Sequence, residues 1–336
     1  MNAIQFIGTQ RSGSNLLRVM LNQLPRISAP HPPHVLKTFF PLLPLYGDLD
    51  NATNFRQLVS DVCGWVNGNP VPWAGIHFDT EVVEARCARN SLIDIFVVLH
   101  EMKAVVDQAD FWCCKSMESV NYLPEIEASG LHPFYIYLFR DGRDVALSFK
   151  KAIVGPKHIY HLASKWREEQ RLSLDMIQTL PPERFISIRY EEFIAKPGDT
   201  VKLICEKLHI DFSEEVFHYF ESTESHNTAE SGEMWQNLTK PVMDSNFNKF
   251  KKEMSTDDIA LFEKVAGDVL LELGYELCSS QHQSSVFTTE QIAEFDRIDK
   301  QMRDEAVKRA PAVDKEKRQQ QENLLKEIKS RNRVSV

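Results

Sequence analysis

The chain has 336 residues, 43% of them hydrophobic, which is enough to bury a full core and fits one large α/β domain with an appendage better than two equal domains. Its net charge of −9 argues against a nucleic-acid binder, so any anion it holds must be met by local, convergent basic residues. No apolar run reaches the ~18 residues of a membrane span, and six cysteines without paired spacing read as reduced thiols.

Ile4 to Leu17 read I-Q-F-I-G-T-Q-R-S-G-S-N-L-L, which predicts a short strand, a glycine-flanked turn and a helix beginning near Ser14. The free N–H groups of such a helix start, with the helix dipole behind them, suit a phosphate or sulfate. A nucleoside-triphosphate loop would carry a lysine after its second glycine; here that place holds Ser14, and the cation sits inside the loop as Arg11. An ordinary glycine turn would read the same way. The pattern G-x-x-R-S-G-S-x-x-L resembles the loop of sulfotransferases that use 3′-phosphoadenosine-5′-phosphosulfate (PAPS). That resemblance implies that Arg11, Ser12, Gly13, Ser14 and Asn15 hold the donor, with Arg11 beside the transferred sulfuryl group.

The stretch A-P-H-P-P-H-V-L-K follows. In the arginine-loop branch, similar to tyrosylprotein-type and bacterial members, a glutamate stands shortly after the first helix, and the resemblance implies that His34 replaces it as base, with His31 as the fallback. The proline pair should hold the backbone extended and His34 stiffly beside the loop, and an imidazole suits proton removal near neutral pH. A proline-rich connector with two exposed histidines is the other reading. Between about 39 and 110 the sequence predicts an insertion with helices over N-F-R-Q-L-V-S-D-V-C-G-W-V and after an N-cap at Ser91. Its aromatics Phe39, Phe40, Trp65, Trp73 and Phe78 either line an acceptor pocket or pack in the core, and His100 reads as packing.

A strand over Phe111–Lys115 should present Lys115 at its end, where the family carries a lysine near the leaving phosphate and sulfuryl oxygens; a solvated lysine is the alternative. The run F-Y-I-Y-L-F-R-D-G-R-D-V-A-L-S predicts a buried strand over Phe134–Phe139 and a helix from near Asp141. It resembles the family's 3′-phosphate site, which implies that Arg140 and Ser148 grip that group. Arg143 and Asp144 are open to a simpler reading as surface i, i+4 pairs. A strand over Phe185–Arg189 leads to Y-E-E-F-I-A-K-P, whose Tyr190 would approach the adenosine. Lys240, in W-Q-N-L-T-K-P, matches the family's late basic loop most weakly.

The sequence is thus expected to form an α/β fold, a mostly parallel sheet flanked by helices on both faces as in P-loop NTPase-like sulfotransferases. The domain should span 1–280, followed by a polar helical extension over 281–336. Two helices are expected there, one over Thr289–Arg309 with Ile292, Phe295, Ile298 and Met302 on one face and one after Pro311, both solvated and packed loosely on the body. The implied activity is sulfuryl transfer from PAPS as co-substrate, without a metal, to a hydroxyl or amine of a small-molecule, lipid, sugar or peptide acceptor. A divergent P-loop kinase and a catalytically inactive nucleotide-binding protein are the competing functions. With the first strand starting by Ile4, a cytoplasmic location is expected.

Overall fold

The computed structural model describes residues 1–153, 155–278, 287–309 and 312–331. The expected junction near residue 280 therefore lies outside the described residues. Five strands form one parallel sheet: β1 (Asn2–Ile7), β2 (Ile27–Ser28), β3 (Phe111–Cys114), β4 (Phe134–Phe139) and β5 (Phe185–Arg189). Their order is β2-β3-β1-β4-β5, and every pairing is parallel. Ile4 of the central strand faces Cys113 on one side and Phe134 on the other, and the burial of most residues of β1, β3 and β4 explains their apolar runs.

Because the strands added after β1 lie on one side and the later ones on the other, the chain reverses at β1. The carboxyl edge at such a switch point is where parallel sheets bind ligands. All four strands expected from sequence are present; β1 starts two residues early and stops one short of Gly8. β2, only two residues long, is too short to show a pattern.

The helices that matter to the site leave this edge. α1 (Ser14–Leu21) follows β1. α2 (Val35–Phe39), α3 (Ala52–Asn67), α4 (Thr80–Arg86) and α5 (Leu92–Val106) form the insertion before β3, and Ser91 caps α5 as expected by accepting from the Asp94 N–H. α6 (Leu123–Ala128) precedes β4, and α7 (Gly142–Lys151) and α8 (Ile159–Thr179) follow it. Beyond β5 come α9 (Tyr190–Ala195), α10 (Pro197–Leu208), α11 (Thr223–Glu230), α12 (Phe250–Glu253) and α13 (Thr256–Glu272). Gly274 closes α13 in a Schellman motif, with the Tyr275 N–H on the Leu270 carbonyl at 2.8 Å and the Gly274 N–H on the Leu271 carbonyl at 3.0 Å.

Phe39, Trp73 and Phe78 are buried in the core of the insertion, as is His100, which sits against Trp73, Phe96 and Trp112. The six cysteines are free thiols. The extension forms α14 (Thr289–Arg309), at the bounds read from sequence, and α15 (Ala312–Arg331), which follows Pro311 as expected. Loose packing holds only in part. α14 lays its half-buried stripe on α8, with Phe295 stacked on His158 at 4.7 Å. α15 is docked firmly, with Ile328 only 2% exposed in the insertion core and Arg331 paired with the buried Asp61 at 2.6 Å.

Candidate active site

A cavity of 820 Å³ opens at the carboxyl edge of the sheet, within the usual ~300–1,000 Å³ range of ligand sites. Its lining includes Arg11, Gly13, Ser14, Asn15, His31, His34, Lys115, Arg140, Ser148 and Tyr190, so residues scattered over 180 positions of sequence share one space. Ser12 is buried behind them. Lys240 is exposed and is absent from the lining, to which Asn246 and Lys249 of the same late loop contribute.

The loop after β1 turns by placing Arg11 at φ 72° and Gly13 at φ 88°, both in the left-handed region. Gly13 has a second reason to lack a side chain, since a Cβ there would lie 2.5 Å from the ring of Tyr190. The turn leaves α1 with its first N–H groups free and no side-chain cap, and the Ser12 hydroxyl is buried without a partner. These are the features of a loop built to receive an anion.

Arg140 joins this loop to the next element. Its Nη1 donates to the Arg11 carbonyl at 3.1 Å, its Nη2 to the Asn246 carbonyl at 2.8 Å, and its guanidinium lies 4.3 Å over the Tyr190 ring, while its Nε is buried unpaired. The Tyr190 hydroxyl in turn accepts from the Asn246 amide at 2.8 Å. Ser148, one turn and a half into α7, accepts from the Arg11 Nε at 3.0 Å. Arg143 and Asp144 are not at the surface, although Asp144 does make an i, i+4 pair, a buried one with Arg140. Arg143 is buried between Asp141 at 2.7 Å and Glu263 at 2.5 Å, and the Asp144 carboxylate accepts from the Phe250 N–H at 2.9 Å while facing Arg140 at 3.7 Å. Arg143 thereby ties α7 to α13 and Asp144 ties it to α12.

On the opposite side, the His31–His34 turn is fixed from behind by two indoles. Trp73 Nε1 donates to the His31 carbonyl at 2.7 Å and Trp65 Nε1 to the Pro33 carbonyl at 2.6 Å. His34 does not continue the extended proline segment; it adopts a left-handed conformation (φ 56°, ψ 40°) and begins α2. Its Nδ1 is hydrogen-bonded to the Ser116 hydroxyl at 2.9 Å, which leaves Nε2 for the cavity. His31 is buried with neither ring nitrogen paired, edge-on to Trp235 at 5.1 Å.

Electrically the cavity is the reverse of the acidic chain. Eight lysines and arginines line it against two carboxylates, Glu118 and Asp144. Burial, with Arg18 and Arg11 nearby, pushes the Lys115 ammonium down to about 7. Burial, then Arg140, also lowers Arg11, and burial, then Lys115, Lys37 and Arg318, holds the His34 imidazole well below its ordinary value. His31 is depressed in the same way, by burial and then Arg18. Cations pressed together against their own desolvation are a site waiting for a polyanion, and PAPS, with its separate phosphate groups, suits that donor set.

Several residues that line or support the cavity escaped the sequence reading. Asn246 links Arg140 to Tyr190, and Glu118 accepts from Gln10 at 2.7 Å and pairs with Lys37 at 2.5 Å. Arg18, fully buried, bonds the Ala29 carbonyl, Glu224 and Thr228. Among these, only an arginine on the apolar face of α1 could have been noticed, as a charge in a position that needs partners.

The sulfotransferase-family sequence model matches residues 4–214. A Caenorhabditis briggsae protein named as a candidate protein-tyrosine sulfotransferase is 25% identical over 196 residues, covering 54% of this chain and 67% of that one. The sulfotransferase domain from the Synechococcus PCC 7002 olefin synthase superposes with a TM-score of 0.54 at 20% identity, over 82% of this chain and 95% of that one. The sulfotransferase domain from the curacin biosynthetic pathway gives 0.52 at 18% identity, over 82% and 98%. Those two likenesses establish the fold, and with the family match over more than half its length the chain belongs to the sulfotransferase family.

Proposed function

We propose that the protein transfers a sulfuryl group from PAPS to a hydroxyl or amine acceptor, with His34 as base. The observation that carries this reading is the convergence of Arg11, Lys115, Arg140, Ser148 and Tyr190 with the Ser116-held His34 on one cavity. When bound, PAPS supplies an activated sulfuryl group on a phosphate leaving group.

The chain's own contribution is then positioning and charge stabilisation, as in phosphoryl transfer. The free N–H groups at the start of α1 and the Ser12 and Ser14 hydroxyls receive the 5′ end. Arg11 and Lys115 face the charge that builds on the peripheral and leaving oxygens. Arg140 and Ser148 hold the 3′-phosphate, and the ring of Tyr190 packs over Gly13 beside the adenosine. The role expected of Lys240 falls in this proposal to Lys249, which lines the cavity. Neutral His34 takes the acceptor proton on Nε2, and a bound polyanion raises its proton affinity towards the useful range by offsetting Lys115, Lys37 and Arg318.

Incubation with ³⁵S-labelled PAPS and a panel of hydroxyl and amine acceptors tests the reading. Label transferred by the wild type and lost in Arg11→Ala is the expected result. Preferential stabilisation by magnesium and ATP over the desulfated donor, 3′-phosphoadenosine-5′-phosphate (PAP), would favour the kinase reading instead.

A further inference from the structure

α15 lies beyond the residues matched by the family model, yet it forms part of the cavity wall through Arg318 and Gln321. Its placement is built into α3. Gly64 and Gly68, one turn apart, admit it closely: a Cβ at Gly68 would lie 2.9 Å from Gln320 Cδ and one at Gly64 3.5 Å from Leu324 Cδ2. Gln321 Nε2 then donates to the Trp65 carbonyl at 2.9 Å, and Trp65 holds the Pro33 carbonyl. Lys317 Nζ reaches the Glu230 carbonyl at 2.9 Å, and Ile328 with Arg331 closes the far end. The helix is thus tied through one tryptophan to the turn that carries His34.

Arg318 is the cation this arrangement delivers. Lys37 pairs with Glu118 at 2.5 Å, and Lys165 pairs with Glu169 and reaches Glu118 at 3.5 Å. Arg318 has no carboxylate partner among the described residues. Its charge acts on His31 and His34. One turn along the helix from Gln321, whose Trp65 partner holds the Pro33 carbonyl, Arg318 lines the cavity on the side of the His31–His34 turn. A guanidinium in a shared cavity with no counter-ion calls for one from the ligand.

We propose that Arg318 selects the acceptor: a compact small molecule whose sulfated hydroxyl is accompanied by an anionic group, carboxylate or phosphate, that the guanidinium receives while the hydroxyl faces His34. This deepens, and rests on, the sulfuryl-transfer reading. Gln321 offers its carbonyl oxygen and the anchored end of the same helix face, so recognition and docking of α15 are one device.

The test uses the full chain and acceptor pairs matched except for charge: 3-hydroxybutyrate, 4-hydroxyphenylacetate and glucuronate, each against its methyl ester. PAP binding is measured first on the wild type, Arg318→Gln and Arg318→Lys. The expected result is a kcat/KM ratio of acid to ester at least tenfold in favour of the acid on the scaffolds used, falling to near one in Arg318→Gln and largely kept in Arg318→Lys, with PAP affinity changed less than threefold. A wild type that does not bind PAP defeats the sulfotransferase reading itself. PAP binding with no acid preference on any scaffold, or a preference that survives Arg318→Gln, overturns this inference alone. A tenfold loss of PAP affinity with the ratio intact assigns Arg318 to the donor and overturns it equally. Should Arg318→Gln fail to fold, Arg318→Ala and the lysine variant carry the same comparison.

Discussion

The Nε–H of Arg11 donates to the hydroxyl of Ser148 at 3.0 Å, joining the loop after β1 to the helix after β4 across 137 positions of sequence. With Arg140 on the Arg11 carbonyl, the two elements proposed to hold the donor are bonded to each other. Ser148→Ala should therefore weaken PAP binding by roughly 1.5–3 kcal/mol, the range for a hydrogen bond to a charged group, while Arg11→Ala should abolish turnover. Calorimetric titration and labelled-sulfate transfer read the two effects; equal PAP affinity in Ser148→Ala would detach α7 from the donor.

Lys115 gives the site a pH dependence with a definite sign. Its pKa in the free protein is about 7, and a bound polyanion raises it. Below pH 7 the ammonium is already formed and PAP affinity should be flat. Above pH 7 binding must take up a proton, so affinity should fall by as much as about tenfold per pH unit until the bound-state pKa is reached. Titrations between pH 6 and 9 in buffers of different ionisation enthalpy should show uptake approaching one proton at pH 8, and Lys115→Met should abolish it.

His34→Ala should lower kcat by roughly 10²–10⁴, the usual worth of general acid–base catalysis, with PAP affinity nearly intact. Ser116→Ala, which only frees Nδ1, should cost less. Since the imidazole is held well below 6.5 in the free protein, the acid limb of kcat/KM should lie below that value. Unchanged kcat in His34→Ala would move the base to His31.

Gly13→Ala should lose both stability and donor binding. A left-handed conformation costs an L-residue about 1–2 kcal/mol, and the new methyl would meet Tyr190 at 2.5 Å and displace the ring from the adenosine side. Thermal melting with and without PAP checks it; a normal PAP-induced shift in this variant would contradict the tight loop-to-ring contact.

Docking of α15 has its own test. Ile328→Ala should destabilise the protein by about 2–5 kcal/mol, as for a large core side chain, measured by denaturant unfolding. A change below about 0.5 kcal/mol, the level of a surface substitution, would mean that the helix is not seated.

The strand over 134–139 was legible to the residue because a buried parallel strand is an unbroken apolar run, that over 185–189, with its exposed Ser187, from its place before Y-E-E-F, and the loop glycines and arginines because anion sites need particular residue types. What the sequence could not show was three-dimensional coincidence. Nothing local marks Asn246 as the link between Arg140 and Tyr190, or His34 as left-handed and bonded to Ser116. α15 was read only as a helix after Pro311, and its few apolar residues gave no sign that Gly64 and Gly68 had made room for it. Lys240, picked by position in a weak motif, is exposed and does not line the cavity, whereas Lys249 of the same loop does.

The most direct measurement is the affinity of the protein for PAP against adenosine 5′-phosphate, in the wild type and Arg140→Ala. The account predicts that PAP binds at least tenfold more tightly and that Arg140→Ala abolishes the difference, since the 3′-phosphate is what the two nucleotides do not share. Equal affinities in the wild type, or a difference untouched by Arg140→Ala, would contradict it.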